Sequence, residues 1–252
     1  MGYVLITGGS SGIGFELAHK FARCGHNLIL VSSNSKRLKA AQNLIKSEYN
    51  ISVLAVEINL ADINAAQDLY QYLQKENLQI DILINNAGFG LIGHSTEIDL
   101  LKDKELMILN MITPVLLCKL ILKEMYQLKK GKILNIASTA AFQPGPYNST
   151  YFASKSFLLS YTRAIRYEAA QKGVQVSALC PGTTNTPFFR REGLKTPSYA
   201  MKASKVADAA YYGLMQNKEI IIPGAINKVL RIIPQAIKVP FIAWLKTMKE
   251  DC

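Results

Sequence analysis

Short apolar runs alternate along the chain with longer stretches whose apolar residues recur every three or four positions. The first run, Tyr3-Val-Leu-Ile-Thr7, predicts a strand and ends in Gly8-Gly9-Ser10-Ser11-Gly12-Ile13-Gly14. Phe15, Leu17, Ala18, Phe21 and Ala22 then follow at helical spacing, with Gly25 suited to the C-terminal end. The alternation continues with strands at 28–31, 53–56, 80–84, 132–137, 174–179 and 219–222. Between them the periodicity predicts helices over 35–47 and 62–76, a long helical stretch to about Lys129, and a helix from Phe152 to Ala170.

Strands that are apolar throughout must be buried on both faces, and right-handed crossovers place helices on each side of a parallel sheet. The expected fold class is α/β, a doubly wound Rossmann architecture with a mostly parallel seven-stranded sheet. Residues 1–252 are expected to form one domain, since no linker composition or internal repeat divides them. Ligands of such sheets bind beyond the carboxyl ends of the strands.

The glycine turn after the first strand lies where the backbone must approach a pyrophosphate, and the helix behind it offers free N–H groups and a partial positive charge. Thr7-Gly-x-x-x-Gly-Ile-Gly14 departs from the GxGxxG spacing. Together with Asn85-Asn86-Ala87-Gly88 after the fourth strand and Pro181-Gly182 after the sixth, it resembles the classical short-chain dehydrogenase/reductase family from Tyr3 to about Pro223. The resemblance implies a nicotinamide dinucleotide cofactor held by Thr7, Gly8, Ser10, Ser11, Gly12, Ile13, Gly14, Asn86, Ala87, Gly88, Pro181, Gly182, Thr184 and Thr186. Thr186 matches the position that contacts the carboxamide; it is also suited to a helix N-cap.

Cofactor choice depends on the end of the second strand, where a carboxylate would hold a 2′-hydroxyl and repel a 2′-phosphate. The stretch Ser32-Ser33-Asn34-Ser35-Lys36-Arg37 has no acid. Its hydroxyls at Ser32 and Ser33 and the charge of Lys36 and Arg37 favour NADP(H), with NAD(H) as the alternative; Lys36 and Arg37 are equally suited to being solvated helix residues. The sequence departs from many NADP-dependent relatives in having Ser33 where they carry Arg. Asn59 and Leu60 fall where the family contacts the adenine; Asn59 can still supply a carbonyl acceptor.

Tyr151 and Lys155 lie four apart in a helical segment and therefore share one face. A phenol with pKa near ~10 is a poor base at neutral pH, and an adjacent ammonium favours its ionised form. Ser138 stands just past the fifth strand, and Asn110 lies in the preceding long helix. These four match the family's tetrad. The resemblance implies that Tyr151 is the acid/base and that Ser138 binds the substrate oxygen. It also implies that Lys155 holds the nicotinamide ribose and lowers the tyrosine pKa, while Asn110 interrupts its helix and positions a water near Lys155. Phe142, Tyr147, Phe188 and Phe189 are expected to line an apolar pocket, with residues 186–205 as a lid and Arg190 and Arg191 either available to an acidic substrate group or solvated on a mobile lid.

Composition narrows the rest. An excess of 29 Lys and Arg over 18 Asp and Glu gives a formal charge of +11, which attracts phosphates, acidic ligands or an anionic membrane. No zinc-finger spacing, aromatic RNA-binding motif or dense basic run points to nucleic acid. Cys24, Cys118, Cys180 and Cys252 form no close pair and are expected as reduced thiols, and His19, His26 and His94 share no metal-ligand spacing. His94 is either a solvated loop residue or part of the substrate mouth. Met1 leads almost at once into the first strand, so a cytoplasmic protein is expected.

The tail, residues 224–252, is basic and apolar, and Pro234 and Pro240 are expected to keep it from spanning a bilayer. Two roles stay open for it: packing over the cleft or on another subunit, and peripheral membrane contact through 224–249. The expected activity is hydride transfer between the cofactor and a carbonyl or secondary alcohol, on a lipophilic substrate such as a 3-oxoacyl group or steroid, in a homodimer or homotetramer. The alternatives are a nucleotide-sugar epimerase or dehydratase, a catalytically silent dinucleotide sensor, and a peripheral membrane interaction protein.

Overall fold

A computed structural model describes residues 2–188, 196–230 and 235–247. Strand β1 (Tyr3–Thr7) leads into α1 (Gly12–Arg23), and the alternation continues through β2 (Asn27–Ser32), α2 (Ser35–Glu48), β3 (Val53–Glu57), α3 (Ala65–Lys75) and β4 (Ile80–Asn85). Next come α4 (Leu100–Met107), a π-helical turn (Ile108–Ile112), α5 (Thr113–Leu128), β5 (Gly131–Ile136), a 3-10 turn (Thr139–Phe142), α6 (Ser149–Ala170) and β6 (Val174–Leu179). Short strands β7 (Thr184–Asn185) and β8 (Met201–Lys202) precede α7 (Ala203–Met215), β9 (Ile220–Ile221), α8 (Ala225–Leu230) and α9 (Gln235–Thr247).

The main sheet is seven-stranded in the order β3-β2-β1-β4-β5-β6-β9, and every neighbouring pair is parallel. Successive side chains of a strand point to opposite faces, so an all-apolar strand feeds two cores at once. Val4 and Ile6 pack with Leu17 and Phe21 of α1, Leu38 of α2 and Val206 of α7. Leu5 between them packs with Leu69 of α3, Ile121 of α5 and Ile165 of α6. The same split separates Leu28 and Leu30 from Ile29 and Val31.

The helical stretch Leu100–Leu128 is long and apolar enough to cross a membrane by composition, yet Leu117, Cys118, Ile121, Leu122 and Met125 are buried in the core beneath the sheet. Strand order reverses between β1 and β4, which opens the crevice beyond their carboxyl ends.

The stretch to about Lys129 is divided by the π turn, where an interruption at Asn110 was expected, whereas the expected lid, 186–205, runs into β8 and the first turn of α7. Pro240 lies inside α9 without ending it, while Pro234 falls outside the described residues.

Candidate active site

The two sides of the crevice are joined through Thr7. Its hydroxyl oxygen accepts the N–H groups of Asn86 at 2.9 Å and Ala87 at 3.0 Å, tying the end of β1 to the turn after β4. The Asn86 amide donates back to the carbonyls of Thr7 at 2.9 Å and Gly8 at 3.2 Å. Gly8 takes a left-handed φ of 66°, and α1 begins tightly against it. A Cβ at Gly14 would stand 2.4 Å from both the Gly8 carbonyl oxygen and the Asn86 amide nitrogen. Ser11 caps α1 in an extended conformation without a side-chain bond to the helix, and Ile13 packs on the core.

At the end of β2, Ser10 of the glycine turn donates to the Ser32 hydroxyl at 2.8 Å, and Ser32 in turn accepts the Asn34 N–H at 3.2 Å. Asn34 caps α2 by accepting the Arg37 N–H at 2.9 Å, so its carbonyl serves the helix. Ser33, Lys36 and Arg37 are exposed. Asn59 is exposed and its side-chain carbonyl accepts the Ala61 N–H at 3.2 Å; Leu60 is buried and its carbonyl accepts the Thr113 hydroxyl at 2.7 Å.

α6 brings Tyr151 and Lys155 to one face, with the Lys155 nitrogen 5.7 Å from the centre of the tyrosine ring. Lys155 is only 5% exposed and donates to the Ile136 carbonyl at the end of β5 at 3.0 Å. Burial pushes its pKa down to about 8, with Cys180 acting in the opposite direction. Ser138 follows β5 and accepts the Ala140 N–H at 3.1 Å, which leaves its hydroxyl hydrogen to donate. Ser156 of α6 donates to the Ala141 carbonyl at 3.1 Å and holds the turn after Ser138 against the helix.

Asn110 sits in the π turn, as the resemblance implied, and is almost wholly buried. Its amide donates to the Phe89 carbonyl at 2.9 Å and to Ser154 of α6 at 3.1 Å, while its carbonyl accepts the Phe89 N–H at 3.2 Å. Ser154 then donates to the Tyr151 carbonyl at 2.7 Å. Gly88 lies between the two polar side chains, since a Cβ there would stand 2.9 Å from the Asn110 carbonyl oxygen and 3.4 Å from the Lys155 nitrogen. With Gly8, Gly14 and Gly88 leaving no Cβ in this crevice, the glycine turn and the start of α1 would hold a dinucleotide's phosphates there.

Beyond β6, Pro181 accepts the Thr139 N–H at 3.0 Å, and Thr184 donates to the Gly182 carbonyl at 2.9 Å. Thr186 accepts the Phe188 N–H at 3.3 Å and lies across from Gly12. The Phe188 ring is 5.6 Å from that of Tyr151. Phe142 packs against the cluster of Ala137, Leu159, Ala178 and Cys180. Tyr147 takes a left-handed φ of 60° and meets the exposed His94 ring edge-on at 4.9 Å. Phe189, Arg190 and Arg191 lie outside the described residues.

Residues 2–196 match the short chain dehydrogenase family. The chain belongs to that family. A short-chain dehydrogenase from Sphingobium yanoikuyae in complex with NADPH superposes with a TM-score of 0.84 at 30% identity, covering 94% of this chain and 97% of that one. The chain is 28% identical over 231 residues to the NADP-dependent 3-hydroxy acid dehydrogenase of Schizosaccharomyces pombe, covering 87% of this chain and 89% of the relative. It is 31% identical over 197 residues to 17-beta-hydroxysteroid dehydrogenase type 3 of Mus musculus, covering 75% of this chain and 62% of that longer protein.

Among the described residues of this short-chain dehydrogenase, no group of three His, Cys, Asp or Glu could hold a metal ion. His19 instead lies 3.2 Å from Glu48. Cys24, Cys118 and Cys180 are not in disulfides, and Cys252 lies outside the described residues. Sequence reasoning missed the Ile136 carbonyl, Ser154 and the Ser10–Ser32 bond as parts of the site. Only the serines carried any sequence signal, as hydroxyls near strand or helix ends.

Proposed function

We propose that the protein is an NADP(H)-dependent oxidoreductase that interconverts a carbonyl and a secondary alcohol on a lipophilic substrate. The observation that carries this is the buried Lys155 ammonium, fixed by the Ile136 carbonyl beside Gly88 and set under the Tyr151 ring. When bound, the nicotinamide supplies or accepts the hydride.

In the reducing direction Tyr151 gives its phenolic proton to the substrate oxygen, and Ser138 donates a hydrogen bond to the same oxygen. Lys155 holds the ribose hydroxyls and keeps positive charge beside the phenol as its proton leaves. Asn110 fixes the Gly88-Phe89 backbone that walls this space, and its bond to Ser154 anchors the second turn of α6.

The absence of a carboxylate at the end of β2, with Ser32 held by Ser10 and with Lys36 and Arg37 exposed nearby, supports NADP(H) over NAD(H). The apolar ring of Phe188 beside Tyr151 supports a lipophilic substrate, and the 3-hydroxy acid and hydroxysteroid relatives support a 3-oxoacyl group or steroid as its class. Exposed Leu100 and Leu101 of α4 and Phe157 and Tyr167 of α6 support a homodimer or homotetramer built on these helices.

The test is titration with NADPH and NADH, followed by consumption of each over diketones, 3-oxoacyl esters and steroids. Tighter NADPH binding with turnover on at least one class is expected. Failure to bind either cofactor would overturn the proposal.

A further inference from the structure

We propose that α8 and α9 form a docking face for an anionic bilayer surface, placed against the rim of the active-site crevice. From Ile220 to Lys249 the sequence contains no Asp or Glu and carries Lys228, Arg231, Lys238, Lys246 and Lys249. The described side chains of the two helices have an inner and an outer side.

The inner side is polar and attached to the site. Lys238 is 9% exposed, and its ammonium donates to Gln143 at 3.2 Å, in the segment that follows Ser138. Asn227 presses on the Pro181-Gly182 turn, since a Cβ on Gly182 would stand 2.4 Å from its side-chain oxygen. Its amide is held by the Pro223 carbonyl at 2.7 Å. α8 and α9 therefore rest on the two segments that border the substrate side of Tyr151.

The outer side is apolar. Ile226 and Val229 of α8 are 76% and 62% exposed, and Phe241 and Trp244 of α9 are 56% and 54% exposed. Each pair is spaced i, i+3 and so lies on one face of its helix. The Phe241 and Trp244 rings stack with centroids 6.0 Å apart. On α9 the order expected of burial against the protein is reversed: Lys238 is inward, while Phe241 and Trp244 face out.

Charge decides what covers this face. Lys228 is exposed within α8, and Lys202 is exposed beside Met201, which lies against Gly224 at the start of α8. With no acid between Ile220 and Lys249 and +11 on the whole chain, a surface of anionic lipid headgroups is attracted, and tryptophan at the headgroup level suits the amphipathic boundary. A second copy of the chain would bring the same positive charge to the contact. Docked in this way, the rim of the crevice faces the lipid, so a lipophilic substrate reaches Tyr151 without crossing water. That consequence rests on the proposed oxidoreductase activity, whereas the docking itself does not.

Trp244 is the only tryptophan in the chain, so its fluorescence reports on this face alone. The full chain is mixed with vesicles of phosphatidylcholine and phosphatidylglycerol at roughly two to one, or of phosphatidylcholine alone, and sedimented. The expected result is co-sedimentation with the anionic vesicles and a blue shift of Trp244 emission. Binding should be about tenfold weaker without phosphatidylglycerol or at about 1 M salt, where the Debye length falls to ~3 Å. The double substitution Ile226→Glu and Phe241→Glu should lower vesicle binding about tenfold, with NADPH binding retained.

Equal sedimentation with both vesicle types, or with neither, would overturn the proposal. So would a Trp244 blue shift that grows with protein concentration in the absence of lipid, which would place a second copy on this face. Sedimentation needs neither cofactor nor turnover, so its failure is distinct from failure of the oxidoreductase assignment.

Discussion

Asn110 clasps Phe89 from both sides, accepting its N–H at 3.2 Å and donating to its carbonyl at 2.9 Å. The π turn at Ile108–Ile112 carries this side chain in a helix that would otherwise be continuous. Asn110→Ala leaves buried backbone and hydroxyl groups short of a partner, at roughly 1–3 kcal/mol for each group left unsatisfied. Urea unfolding should show a loss of about 2–4 kcal/mol, together with weaker NADPH binding, because the Gly88-Phe89 wall is freed. Wild-type stability in the variant would contradict the clasp.

Lys155 weakens the fold that it serves. Its pKa is pushed from the ordinary 10.5 to about 8 by burial, so the folded state binds the proton less tightly than the unfolded state. This cost is fully present below pH ~8 and is relieved as pH rises towards the ordinary lysine range. Lys155→Met should therefore be inactive yet more stable at pH 7, by about 1–2 kcal/mol after loss of the bond to Ile136, or roughly 2–6 °C in Tm. Scanning calorimetry should show that advantage shrink at pH about 10.

Cofactor choice should respond to a single carboxylate. Ser33→Asp places negative charge at the exposed end of β2, where repulsion of a 2′-phosphate is worth about 1–2 kcal/mol. The ratio of NADPH to NADH affinity should fall about tenfold, measured by fluorescence titration. An unchanged ratio would remove this position from cofactor selection.

Gly14→Ala tests the tight start of α1. The added methyl meets the Gly8 carbonyl oxygen and the Asn86 amide at 2.4 Å, and the first of these is backbone that cannot rotate away. A loss of about 1–3 kcal/mol and a collapse of NADPH binding are expected. Full NADPH affinity in the variant would show that the turn can open without consequence.

The sheet was legible because each central strand is buried on both faces and reads as an unbroken apolar run. Val4, Leu5 and Ile6 show this directly, feeding opposite cores. Tyr151 and Lys155 were legible because helical spacing sets them on one face, and Ser138 and Asn110 through their family resemblance. The supports of these residues were not. Asn110 reaches Phe89 across 21 residues and Lys238 reaches Gln143 across 95, and no local periodicity encodes a contact that only the folded chain creates. β7 and β8 escaped because two-residue strands leave no alternation to detect.

The most direct test of the central claim is NADPH consumption by the wild-type protein and by Tyr151→Phe on whichever carbonyl the wild type reduces. The hydroxyl is removed and the ring retained, so NADPH binding should persist while kcat falls by at least about a hundredfold. Turnover by Tyr151→Phe at the wild-type rate would contradict the account, since the proton would then come from another group.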